Sequence, residues 1–170
     1  MSKGDKSAMR VLYDRYAPGL RRFVENWLAD KNDAADIVHE TMLEVWRSAG
    51  RFEGRSSVKS WMFSIARNKS IDRNRKGART VLAEPDKEAP DDAPNPEQVT
   101  EAFQDAARVR ACVEALSGPH KSAIQLAFFE ELTYKEIAMI EDCPVGTVKT
   151  RIMHAKKLLM HCLSQDQADN

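Results

Sequence analysis

The chain has 170 residues, with 26 Lys and Arg set against 26 Asp and Glu, and it is 42% hydrophobic but only 7% aromatic. That length holds one medium domain or two small ones with aliphatic cores. No apolar run reaches the roughly 18 residues of a membrane span, and the start, Met1-Ser2-Lys3-Gly4-Asp5-Lys6, has no signal-peptide core, so the expected location is cytoplasmic.

The zero net charge averages three unlike segments. Residues 1–80 carry 17 Lys and Arg against 10 acids, residues 81–107 one Lys against eight acids, and residues 108–170 eight of each. A basic block, an acidic strip and a balanced tail suggest polyanion binding by two units with an acidic segment between them.

Helical periodicity runs through the sequence, so the predicted fold is all-α: helical domains at 1–80 and 105–170, joined by an acidic, Pro-rich linker at 81–104. The first helix covers Asp5 to about Ala29, with Met9, Leu12, Tyr13, Tyr16, Leu20, Phe23 and Trp27 on its buried side and a possible kink at Pro18-Gly19. Asn32 or Asp33 caps the second, which runs to about Ala49. Its apolar side is Ile37, Val38, Thr41, Val45 and Trp46. Asp36, Glu40 and Glu44, spaced by four, share the adjoining edge, and such a stripe suits a partner helix bearing cations.

Ser57 caps a third helix to about Lys76. Val58, Trp61, Met62, Ile65 and Ala66 face the core, and Lys59, Phe63, Arg67, Ser70 and Asn74 lie opposite. An aromatic among cations binds single strands by stacking and phosphate contact; the alternative has Phe63 packed on a neighbour. The preceding Gly54-Arg55-Ser56-Ser57 loop has the small polar groups and the cation to hold an unstacked base.

The linker holds four of the seven prolines. As a flexible coil of about 24 residues it spans roughly 27 Å. Helices then follow at Phe103–Leu116 and Lys121–Glu130. Next come a helix with Leu132, Ile137, Ala138 and Ile140 as its stripe, an Asp142-Cys143-Pro144 turn, and a second helix buried through Val148, Ile152, Ala155, Leu159 and Cys162. This is helix-turn-helix spacing, whose second helix can enter the DNA major groove. Lys149, Thr150, Met153, His154 and Lys157 point outward, with Arg151 and Lys156 flanking, and no acid occurs from Cys143 to Leu163. Such a face suits phosphate contact and base reading.

Catalytic signals are lacking. His39-Glu40 has no second histidine at 43, there is no Gly-rich phosphate loop or nucleophile elbow, and His154 and His161 stand two turns apart on one helix while the adjacent Cys162 points elsewhere. The expectation is no enzyme, no metal and no cofactor. Cys112, Cys143 and Cys162, odd in number and widely spaced, predict no disulfide framework; Cys143 and Cys162 read as small hydrophobes.

Three blocks together resemble the extracytoplasmic-function (ECF) sigma factors of bacterial RNA polymerase: Asp33 through Trp46; Phe52-Glu53-Gly54 through Trp61–Asn68 to Asp72, Arg73 and Arg75; and the helix-turn-helix. The resemblance implies that Asp36, Ile37, Glu40, Thr41, Glu44 and Trp46 dock on the β′ clamp helices of core polymerase. It implies that Arg55, Ser56, Ser57, Lys59, Phe63, Arg67 and Asn74 open and hold the minus-10 element. Thr147, Lys149, Thr150, Arg151, Met153, His154 and Lys157 would read minus-35 promoter DNA, with His154 standing where many relatives carry arginine. The chain is also similar to the branch paired with cytoplasmic, zinc-binding ChrR-type anti-sigma factors and tied to singlet-oxygen stress, the zinc being the partner's. Two other readings stay open: a conventional helix-turn-helix regulator, and a helical protein–protein adaptor.

Overall fold

The computed structural model describes residues 6–28, 30–80 and 101–168, and among these there are seven α-helices and no strand. α1 (Lys6–Glu25) continues through Pro18 as one helix and buries Leu20, Phe23 and Val24. Tyr13, expected on its buried side, is exposed.

A 3₁₀ turn at Lys31–Asp33 leads into α2 (Ala34–Ser48). Asp33 stands at the cap position but makes no side-chain cap, because its carboxylate accepts from Arg73 Nη1 at 2.8 Å instead. α3 (Val58–Thr80) has the expected cap, with the Ser60 N–H donating to Ser57 Oγ at 3.1 Å.

Residues 81–100 of the expected linker lie outside the described residues. α4 (Glu101–Glu114) takes up the chain four positions before 105, so the last part of that expected linker is helical. α5 (Gly118–Ile124) runs into a π-type turn at Gln125–Phe129, where a single long helix was expected. α6 (Tyr134–Glu141) and α7 (Val145–Ala168) form the helix-turn-helix.

The buried apolar residues form one cluster, from Leu20, Phe23 and Val24 through Ile37, Val45, Met62 and Phe63 to Ile137, Ile140, Val148 and Ile152. α1–α3 and α4–α7 are therefore packed on each other, chiefly through α3 against α6. Apolar burial at roughly 25 cal/mol per Å² makes such continuity a major source of cohesion.

A disulfide joins Cys112 on α4 to Cys162 on α7, with Cα atoms 6.0 Å apart, and corrects the expectation of three unpaired thiols. α4 lies along the distal half of α7 and brings together residues 50 positions apart, which no local spacing reveals. Only Cys143 is free.

Candidate nucleic-acid interface

The helix-turn-helix is built from local signals. Thr133 caps α6: its hydroxyl accepts from the Glu136 N–H at 3.3 Å, and Glu136 Oε2 accepts from the Thr133 N–H at 2.9 Å. Asp142 ends α6 in the left-handed region, φ 47°, and the Cys143 N–H closes the turn on Ala138 O at 3.1 Å. Pro144 then starts α7, its carbonyl accepting from the Thr147 N–H.

The buried stripe of α7 is Val148, Ile152 and Ala155, leaving Lys149, Thr150, Met153, His154 and Lys157 exposed and Thr147 half-buried. Several of its polar groups have intramolecular partners: the Thr150 hydroxyl donates to the Gly146 carbonyl at 3.0 Å, and Lys156 Nζ lies over the Phe128 ring at 4.9 Å. Arg151 Nη1 donates to Glu141 Oε2 at 3.2 Å. The His154 ring lies parallel to that of His120 on α5, centroids 6.3 Å apart, and Ser117 Oγ holds His120 Nδ1 at 2.7 Å.

Glu141 is the anchor of this arrangement. It is 2% exposed, and burial raises its carboxyl pKa against the opposing pull of the Ser122 hydroxyl and of Arg67 and Arg151. It ties α7 to α6 and α5 through Arg151 and Ser122, and so sets the angle between these helices.

The expected minus-10 face differs most from the sequence reading. Arg55 is exposed and pairs with Glu53, and Ser56 is half-buried. Phe63, placed on the exposed side, is 0% exposed and meets Phe23 edge-on at 5.2 Å; Ser70 is likewise buried. α3 packs against α1, α2 and α6 together, with Phe63 on Phe23 of α1 and Ser60 on Glu136 of α6, and helical periodicity cannot reveal so many neighbours. Trp61, expected in the core, is half-buried against Phe52. Asn74 Nδ2 donates to the Trp27 carbonyl. The Arg67 guanidinium lies over the Trp27 ring at 5.2 Å, and its Nε is buried without a hydrogen-bond partner.

Lys59 and Ser57 are also engaged. Lys59 Nζ donates to the Glu130 carbonyl at 2.6 Å and pairs with Glu130 Oε2 at 2.8 Å. The hydroxyls of Ser57 and Ser60 both donate to Glu136 Oε1 at 2.8 Å. Burial pushes the Glu136 carboxyl up, but the Thr133 backbone N–H and the hydroxyls of Ser57, Ser60 and Thr133 outweigh it and hold the pKa at about 2.

On α2 the expected docking stripe divides. Ile37 and Thr41 are buried at 1% and 0%, with the Thr41 hydroxyl donating to Ile37 O, so they belong to the core and not to a surface. Asp36 and Glu40 are exposed and Glu44 is half-buried. Glu40 pairs with Arg73 at 3.0 Å and Lys69 at 3.8 Å. Beside them a shallow, mainly apolar groove of about 380 Å³ is lined by Met9, Tyr13, His39, Met42, Leu43 and Trp46. His39 and Leu43 of this groove were not among the residues expected on the docking stripe. Among the described residues no group of three or more His, Cys, Asp or Glu is placed to hold a metal.

Residues 12–80 match Sigma-70 region 2 and residues 106–159 match Sigma-70 region 4, which defines the class as a two-module sigma-70-type protein. The ECF RNA polymerase sigma factor RpoE of Cereibacter sphaeroides is 32% identical over 165 residues, covering 94% of this chain and 88% of that protein. The ECF RNA polymerase sigma-E factor of Haemophilus influenzae is 31% identical over 170 residues, with 94% and 89% covered. The sigma factor RpoE of Bartonella quintana, solved in complex with the anti-sigma factor NepR, superposes with a TM-score of 0.72 at 25% identity, covering 91% of this chain and 96% of that one.

The chain belongs to the ECF RNA polymerase sigma factor family. It is a transcription initiation factor that acts by binding core polymerase and by recognising and melting promoters, and it is not an enzyme. Membership decides between the three readings in favour of the first. Sigma factors act with RNA polymerase in the cytoplasm, and no described helix is long and apolar enough to cross a membrane.

Proposed function

We propose that α7 reads the minus-35 element through Lys149, Thr150, Met153, His154 and Lys157, with Thr147 at its entry and Arg151 holding its angle. The acid-free outward face of α7, directly behind the capped α6 and the left-handed turn, carries this reading. Arg55, Ser56, Ser57, Lys59 and Arg67 take the minus-10 strand, and Phe63 and Asn74, engaged by Phe23 and the Trp27 carbonyl, support α3 from within. The exposed Asp36 and Glu40, with Glu44, Trp46 and the Leu43 groove, dock on the β′ clamp helices. Residues 1–80 and 105–170 serve as the two binding units, and 81–104 joins them.

The partner that restrains the chain is a cytoplasmic anti-sigma factor of the zinc-binding ChrR type, and the regulon answers stress such as singlet oxygen. Likeness to a sigma factor solved with an anti-sigma factor supports an anti-sigma partner. Competition for duplex promoter fragments tests the recognition face. Lys149→Ala should lose roughly 1–3 kcal/mol on the cognate duplex if it reads a base, while a phosphate contact lowers affinity evenly across sequences. Unchanged affinity in a Lys149→Ala, His154→Ala double variant removes the face from the interface.

A further inference from the structure

We propose that His120, on α5 and outside the helix-turn-helix, is a specificity-determining residue for the minus-35 element: its ring, held by Ser117, backs the His154 ring and sets the direction in which His154 offers its nitrogens to a base edge. The inference rests on the minus-35 role given to α7 above.

His154 is exposed on α7, and among the described residues neither of its ring nitrogens has a hydrogen-bond or ion-pair partner. Its neighbour of defined geometry is His120, 34 positions earlier in the chain. The two rings are parallel to within 2° with centroids 6.3 Å apart, inside the range of roughly 4.5–7 Å for offset aromatic pairs. The His120 ring is itself held, because its Nδ1 lies 2.7 Å from Ser117 Oγ. One edge of His120 is thus engaged by Ser117, and its face is turned to His154.

The support behind this ring is firm. Ser122, Ala123 and Ile124, which follow on α5, are buried. The Ser122 hydroxyl donates to Glu141 Oε1, and Glu141 Oε2 accepts from Arg151 at 3.2 Å, so α5 is tied to α7 about one turn before His154. The cation beside His120 is directed elsewhere, since Lys121 Nζ pairs with Glu114 on α4. What α5 presents at His154 is therefore a ring and not an ammonium. An ammonium would add a phosphate contact, which carries no sequence information. A ring face instead limits the rotamers of an exposed side chain, and so lowers the cost of ordering it at an interface. It also narrows the angle at which an imidazole N–H meets an acceptor such as purine N7.

The test is transcription by core enzyme with the full chain from templates randomised over the upstream element, followed by sequencing of the templates used. His154→Ala should flatten the preference at one base pair. His120→Ala should weaken the preference at that same pair by about fivefold, the order expected from freeing one side chain at an interface, and leave the other positions as they are. The double alanine variant should be no worse than His154→Ala. Ser117→Ala keeps the His120 ring without its tie, and His120→Phe keeps a ring of different chemistry; both should fall between wild type and His120→Ala, and they carry the comparison if thermal unfolding shows His120→Ala to be unstable. An even loss at all positions on changing Ser117 or His120 means general support of α5 or a phosphate contact, and overturns the proposal. So do wild-type profiles for these variants beside a flattened His154→Ala profile, in which case the reading of α7 stands. If Lys149→Ala and His154→Ala both leave the profile unchanged, the reading of α7 fails, and the role of His120 fails with it.

Discussion

Removing the Glu141 carboxylate tests how the recognition helix is held. Glu141→Ala leaves Ser122 without its acceptor and leaves the Arg151 guanidinium with only Cys143 Sγ, at 3.8 Å. Breaking a fully buried ion pair costs about 3–5 kcal/mol. The Arg151 side chain retains 27% exposure, so water compensates part of the loss, and the expected destabilisation is about 2–3 kcal/mol. Urea unfolding of the full chain measures it, with Arg151→Ala and the double variant completing a cycle. If the pair acts as a unit, the double variant costs little more than either single one. A loss below about 0.5 kcal/mol for Glu141→Ala, or strictly additive losses, would refute the anchor. The cycle also separates two roles for Arg151: a structural one leaves both variants with the same promoter defect, whereas a base contact makes Arg151→Ala worse.

Three further outcomes follow from the same geometry. Phe63→Ala should cost about 3–5 kcal/mol in thermal or chemical unfolding, because the ring is fully buried against Phe23; a melting temperature equal to wild type would return Phe63 to the surface. Opening the Cys112–Cys162 loop, with its separation of 50 residues, should cost about 4 kcal/mol by chain entropy, so Cys112→Ser and reductant should lower the melting temperature alike, and no change in either would mean that the thiols are not joined in solution. Glu136, held at about 2 in the fold against 4.5 in an unfolded chain, contributes stability that is full above about pH 4.5 and lost as pH falls toward 2; a carboxyl resonance titrating near 4.5 in the folded chain would mean that Thr133, Ser57 and Ser60 do not hold it.

The helix-turn-helix was legible because its signals are local. The α6 stripe, the Asp142-Cys143-Pro144 turn and the α7 stripe are all patterns of short spacing, and the Thr133–Glu136 capping box, equally local, was there to be read as well. α3 was misread for the opposite reason. Its sequence shows one apolar and one mixed face, and nothing near Phe63 announces that Phe23 of α1 packs on it or that α6, some seventy residues on, meets Ser57 and Ser60. Ile37 and Thr41 were assigned to a docking surface because they adjoin the acidic edge, but their stripe is the one that α2 turns to the core. The Cys112–Cys162 pair and the Glu130 insertion at Gly19 depend on tertiary approach alone. The sequence also named none of Glu130, Glu136 and Glu141 as a tie between helices, since single acids on short helices carry no pattern.

The most direct measurement is transcription by core RNA polymerase from a library randomised over both promoter elements, with and without the full chain, followed by sequencing of the templates used. The account predicts transcripts only with the chain, enrichment of two sequence blocks, and selective loss of the upstream block in the Lys149→Ala, His154→Ala variant. Enrichment of the same two blocks by that variant and by the wild type would contradict it.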